Sequence, residues 1–114
     1  MIQVASDNSI ELTRGDSAYI RVPIFLNNGD GDEYFLDPLD KLIFSLKKSI
    51  SDIEYAFQKK LTGDNVFHIE PKDTKDLEYG SYRYDVELIT KAGDVFTVIT
   101  PTSFKLTSEV TVDE

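Results

Sequence analysis

The chain has 114 residues, 12 basic and 21 acidic side chains, a formal net charge of −9 and no cysteine. That is the length of one domain, and the missing cysteine excludes disulfides, thiolate metal sites and cysteine nucleophiles, leaning toward assembly in a reducing cytoplasm. The acidic balance speaks against nucleic acid, whose phosphates call for a basic track, and no apolar run reaches the roughly 18 residues of a membrane span.

The residues from Met1 to Asp7 lack the basic and apolar regions of a signal peptide. From Ile10 onward the dominant period is two, as in half-buried strands, whose successive side chains point to opposite sides of a sheet. Ile10 and Leu12 open the pattern. Arg14, Gly15 and Asp16 then read as a hairpin turn, with Gly15 supplying a positive φ and Asp16 able to bond the turn. With Ser17 these letters also spell an integrin-binding tripeptide, but their place between two alternating runs makes them strand punctuation.

Ile20, Val22, Ile24 and Leu26 share one face, which leaves Tyr19 and Phe25 on the other. A Gly/Asn-rich turn spans residues 27–31. Asn28, Asp30 and Asp32 have the first spacings of an EF-hand loop, but Glu33 stands where the glycine belongs, Leu39 where the glutamate belongs, and flanking helices are missing. An acidic hairpin loop is expected there. Leu42, Phe44 and Leu46 alternate next, then Tyr55, Phe57, Lys59 and Leu61 more weakly, followed by a turn at residues 62–65.

A short run at residues 66–69 contains His68, the only histidine. No nucleophile-elbow context accompanies it, so it reads as a strand histidine on a polar face. Residues 71–77 are the one helical candidate: Pro71 suits a first turn, and the length supports a single turn. Glu78, Gly80, Tyr82 and Tyr84 then recur at every second position. This resembles the tyrosine corner of immunoglobulin-like sandwiches, in which a buried ring carries a hydroxyl that bonds backbone at the turn. Tyr82 would be the corner residue, and Tyr84 would take the core position.

Tyr82, Tyr84, Val86 and Leu88 form the cleanest alternation, and a turn follows at residues 91–94. Residues 95–100 are apolar on both faces, with Phe96 and Val98 opposite Val95 and Ile99. Such a run indicates a change of face at a bulge, or burial of both faces against a partner. Phe104 and Leu106 close the pattern, and an acidic, β-prone tail follows.

The expected fold is therefore all-β: a single immunoglobulin-like antiparallel β-sandwich over residues 1–114, of about seven or eight strands with one short helical turn. A four-plus-three sandwich of other topology stays open. Gly15, Asp16, Gly80 and Tyr82 are expected to be structural. Tyr19, Phe25, Phe96 and Val98 are the candidate protein-interface residues. Same-face carboxylate pairs, Asp76 with Glu78 and Asp85 with Glu87, arise easily among 21 acids, and without a sugar-stacking tryptophan they do not indicate a glycosidase. No enzyme activity, metal or cofactor is expected.

The order of four stretches resembles the N-terminal domain of phage baseplate upper proteins, found in tails of phages and prophages of Gram-positive hosts. They are residues 10–17 (IELTRGDS), residues 39–48 (LDKLIFSLKK), residues 69–88 (IEPKDTKDLEYGSYRYDVEL), and residues 93–99 (GDVFTVI) with 104–106 (FKL). The third is the most specific, with a helical turn, a corner and a tyrosine-rich strand in fixed order. The resemblance implies a non-enzymatic structural module of the virion, assembled in the host cytoplasm. Its partners would be other tail or virion proteins, or further copies of itself as a homo-oligomer, with neither nucleic acid nor membrane involved. In the family further regions follow this domain, so a small virion or prophage protein of the same fold is expected here. The alternative is a carbohydrate- or calcium-binding module of a surface protein, using Asp30, Asp32 and Tyr34.

Overall fold

A computed structural model describes residues 2–26 and 32–108. The elements, in order, are β1 (Ile2–Val4), β2 (Ile10–Thr13), β3 (Ala18–Arg21), β4 (Lys41–Lys47), β5 (Phe57–Thr62), β6 (Val66–Ile69), α1 (Pro71–Thr74), β7 (Gly80–Ile89) and β8 (Val95–Thr107). Six strands form one sheet in the order β1-β2-β8-β7-β4-β5, and β3 pairs with β6 in a separate two-stranded ladder. The fold is all-β with one helical turn.

The period-two pattern becomes burial directly. Leu42, Phe44 and Leu46 of β4 and Tyr82, Tyr84, Val86 and Leu88 of β7 point inward and are buried. They meet Ile10 and Leu12 of β2, Phe104 and Leu106 of β8, and Ile20, Phe67 and Ile69 of the β3–β6 ladder in one core. Phe44 is its centre. Its ring lies 4.9 Å from that of Tyr84, 5.4 Å from Phe67 and 6.3 Å from Phe104, in the offset and edge-on arrangements that aromatic quadrupoles favour. The Phe44–Phe67 contact places the ladder over the inner face of the large sheet.

Two expectations need correcting. The sheet is not wholly antiparallel, because β2 runs parallel to β8, with Ile10 beside Phe104 and Leu12 beside Leu106. And the turn at Arg14–Asp16 is not a hairpin, because β2 and β3 lie in different sheets. Gly15 does have the positive φ a tight turn requires, +85°. However, the apolar side chains of β3 are needed across the core from those of β2, so the chain crosses over instead of pairing back. The same holds at residues 62–65, which carry the chain from β5 to β6.

The 91–94 turn does close a hairpin, with Ile89 opposite Val95. The two-faced apolar run after it resolves as a bulge. Register shifts between Tyr84 and Val86 and between Val86 and Glu87 insert extra residues on β8. By register Phe96 pairs with Leu88, Thr97 with Glu87 and Ile99 with Val86; Val98 and Ile99 then both pack partly against the core, while Phe96 stays on the surface. The apolar face expected to run from Ile20 to Leu26 is strand only to Arg21. Val22 and Ile24 continue it as buried irregular chain, bonded through the Val22 amide to the Asn65 carbonyl and through the Ile24 carbonyl to the Tyr34 amide. Pro23, which lacks an amide hydrogen, is consistent with the ladder ending there.

Candidate functional site

The two ends of the large sheet are built differently. At the end carrying the β7–β8 hairpin, three segments converge on Asp40, whose residue is only 1% exposed. Its carboxylate accepts the Tyr34 hydroxyl (2.6 Å), the Asp37 amide (2.9 Å) and the Lys91 amide of the hairpin (2.8 Å). Its carbonyl accepts the Gly63 amide (2.8 Å) from the β5–β6 turn. Hydrogen bonding, first of all from Tyr34, holds the Asp40 carboxyl below its ordinary value despite desolvation, and the same bond raises the Tyr34 hydroxyl. Gly63 has φ +67°, and a Cβ there would lie 2.8 Å from the Pro38 carbonyl oxygen. An ion pair from Lys91 to Asp37 (3.1 Å) adds a surface tie.

On this fixed backbone large apolar side chains face solvent. Phe35 is 84% exposed, and Leu39, Val95, Phe96 and Phe25 join it on the surface. A hollow of about 240 Å³ opens beside them between Arg21, Tyr34, Leu36 and Asn65, rimmed by the Arg21–Glu33 ion pair. Exposed apolar groups held by a rigid frame are the usual makings of a protein-binding surface, because binding then orders little that was free before.

The opposite end is fastened by hydroxyls and an arginine. Tyr82 is buried, and its hydroxyl donates to the Glu78 carbonyl at 2.7 Å, which is the backbone bond expected of a tyrosine corner. Thr74 of α1 is buried and accepts the Gly15 amide through its Oγ1 at 2.8 Å. The Arg14 guanidinium stacks 4.1 Å over the Tyr79 ring and donates to the Leu77 carbonyl at 3.1 Å. The arginine of the adhesion-like tripeptide is thus engaged with its own corner. Further up the core the Tyr84 hydroxyl donates to the Asn8 carbonyl, and burial pushes its pKa up to about 12.

Of the four candidate interface residues, Tyr19, Phe25 and Phe96 are exposed and Val98 packs partly against the core. They do not form one patch: Tyr19 lies on the two-stranded ladder and Phe96 on β8. Tyr19 stacks on His68, its cross-strand partner, with ring centroids 4.3 Å apart. Gly15 and Asp16 lie in the crossover between β2 and β3, Tyr82 lies in β7 with its hydroxyl on the Glu78 carbonyl, and Gly80 opens β7 opposite Leu106. In the loop considered for calcium, residues 28–31, Asp30 among them, lie outside the described residues. Glu33 is paired with Arg21, and Tyr34 with Asp40. Among the described residues no group of three or more histidines or acids is placed to hold a metal. Asp40, Phe35 and Leu39 were not singled out from sequence. Their only local signal is an Asp-Pro-Leu-Asp run between apolar stretches, which marks a turn without saying what it ties.

No family model, no curated protein and no solved structure matches the chain.

Proposed function

We propose that this protein is a non-catalytic interaction module of immunoglobulin-like sandwich layout, a component of a phage or prophage tail that packs against other virion proteins. The layout is supported by the two-stranded ladder lying over the larger sheet, the helical turn between β6 and β7, and the tyrosine corner that follows it. The function rests on one observation: Phe35, Leu39, Val95 and Phe96 are held in solvent around a buried carboxylate that fixes the segments carrying them. A surface kept rigid and apolar is suited to permanent assembly, in which a desolvated apolar centre supplies most of the affinity.

The test is immunogold electron microscopy of particles released from the host strain, using an antibody raised against this chain. Label at the tail tip is the expected result. Particles free of label, with the antigen wholly in the soluble fraction, would overturn the assignment. A double variant, Phe35→Glu with Leu39→Glu, should fold normally and fail to incorporate into particles.

A further inference from the structure

The two edges of the large sheet are protected unequally. At one edge β5 carries Lys59 and Lys60, and Lys59 Nζ reaches the Asp73 carboxylate of α1 at 2.7 Å. Lysines on an edge strand keep other strands from adding to it. At the other edge β1 reads Ile2-Gln3-Val4, with neither charge nor proline. Among the described residues its only strand partner is β2.

The turn from β1 to β2 fixes which backbone groups of β1 face outward. The Ala5 amide donates to the Ser9 carbonyl (2.9 Å), and the Ala5 carbonyl accepts the Asn8 amide (3.0 Å). Asn8 has φ +70°, as does the left-handed residue that closes a three-residue hairpin loop. Ala5 therefore uses both of its backbone groups inside the hairpin. Along an antiparallel ladder such positions alternate with positions whose amide and carbonyl point away from the partner strand. Gln3, opposite Glu11, bonds β2, whereas Ile2 and Val4 turn amide and carbonyl to the open edge. Side chains alternate as well. Ile2 and Val4 stand opposite the buried Leu12 and Ile10, on the core face, and Gln3 stands on the outer face. Ile2 packs partly against the core, but Val4, in the last strand of the sheet, is 53% exposed.

We propose that β1 pairs antiparallel with β1 of a second copy of this chain, about a two-fold axis through Gln3, and so joins two six-stranded sheets into one. In that register Ile2 stands opposite the partner's Val4, and Val4 opposite the partner's Ile2. Each of these pairs exchanges both of its backbone hydrogen bonds, because these are the positions with outward amides and carbonyls. On the core face apolar side chains meet apolar ones across the seam, and on the outer face Gln3 meets the partner's Gln3. Moving the axis to Ile2 or Val4 leaves a single hydrogen-bonded pair among the residues of β1. A second copy is the occupant because the edge is its own complement: one axis satisfies the backbone and both faces together. The contact is short, which suits a weak dimer that gains strength where many copies are held side by side.

The chain has no cysteine, so single introduced thiols report the register. Gln3→Cys places two thiols at a non-hydrogen-bonded pair, whose Cα atoms lie about 4.5 Å apart, within the roughly 4.4–6.8 Å that a disulfide spans. Glu11→Cys, one strand further in, lies about 14 Å from its counterpart, three strand spacings of about 4.8 Å, and cannot be bridged. Gln58→Cys reports pairing through β5. Under mild oxidation Gln3→Cys is expected to form a covalent dimer at least about tenfold faster than either control. Val4→Pro removes an outward amide and no bond within the chain, and Val4→Lys puts a charge at the seam. Added to Gln3→Cys, either should slow trapping at least about tenfold with little change in thermal melts. The parent chain should show a dimer in sedimentation at about 500 µM protein and about 300 mM salt, which screens the repulsion between two chains of −9. Trapping of Gln3→Cys no faster than of Glu11→Cys, faster trapping of Gln58→Cys, trapping indifferent to both Val4 changes, or a parent chain wholly monomeric at that concentration would each overturn the proposal. The measurement uses isolated protein, so its outcome is separate from that of particle labelling.

Discussion

The hairpin end and the helical-turn end of the sheet face the same physical problem and answer it with different chemistry. Each must fix loops from distant parts of the chain to the ends of the strands. The hairpin end uses an ionised carboxylate, Asp40, which can accept several donors at once. The other end uses the hydroxyls of Tyr82 and Thr74, each making one neutral bond, together with the Arg14 guanidinium, whose charge no accessible pH removes. Charged hydrogen bonds are about twice as strong as neutral ones, but those of a carboxylate can be switched off by a proton. One end is therefore the more conditional on pH, the other the more constant.

The largest way to break this contrast is Asp40→Ala. It strands the Tyr34 hydroxyl and the amides of Asp37 and Lys91, and should cost about 3 kcal/mol in urea unfolding, the scale of a lost buried network. Acid should do part of the same reversibly. The folded-state value of Asp40 is depressed, so its contribution is fully present above about pH 5 and is lost as pH falls through the carboxylate range. Amide exchange followed down that range should show Lys91 losing protection before Gly15, and Asp40→Asn should remove the difference.

Gly63→Ala attacks the same end sterically. The added methyl group meets Pro38 at 2.8 Å in a backbone conformation that side chains disfavour, and a loss of about 2 kcal/mol is expected in denaturant melts. Tyr82→Phe, at the helical-turn end, removes one hydrogen bond and should cost about 1 kcal/mol at every pH from 4 to 8. Asp16→Glu is the smallest change. It should shift stability by less than about 0.5 kcal/mol and leave partner capture unaltered, since the adhesion-like arginine beside it is bound to Tyr79 and Leu77.

What the sequence made legible follows from how local each cause is. Tyr82 was readable because its hydroxyl partner, Glu78, is four residues away and its strand alternates cleanly. The all-β class and the single helical turn were readable for the same reason. The bulge in β8 was foreshadowed by an apolar run too wide for one face. Asp40 was not readable: it is one acid among 21, and its partner Lys91 lies 51 residues on. Nor was the parallel β2–β8 pairing, because strand patterns carry facing and not neighbours. The turn at Gly15 shows the limit most plainly. Its local chemistry suits a hairpin and a crossover equally, and only the demand of the core for apolar groups on both sheets chooses between them.

The union of β2 with β8 also sets an order of events in folding. The Thr107 hydroxyl reaches the Leu12 carbonyl across 95 residues of chain, and the Arg14 amide bonds the Thr107 carbonyl. Closing so wide a loop is entropically costly and makes a slow, late step. During synthesis β2 would leave the ribosome early and remain without this neighbour until β8 appeared, whereas β7 directly precedes β8 in the chain. The nascent protein would pass through an interval with the β2 edge unsatisfied, when chaperones or the wrong strand could compete for it.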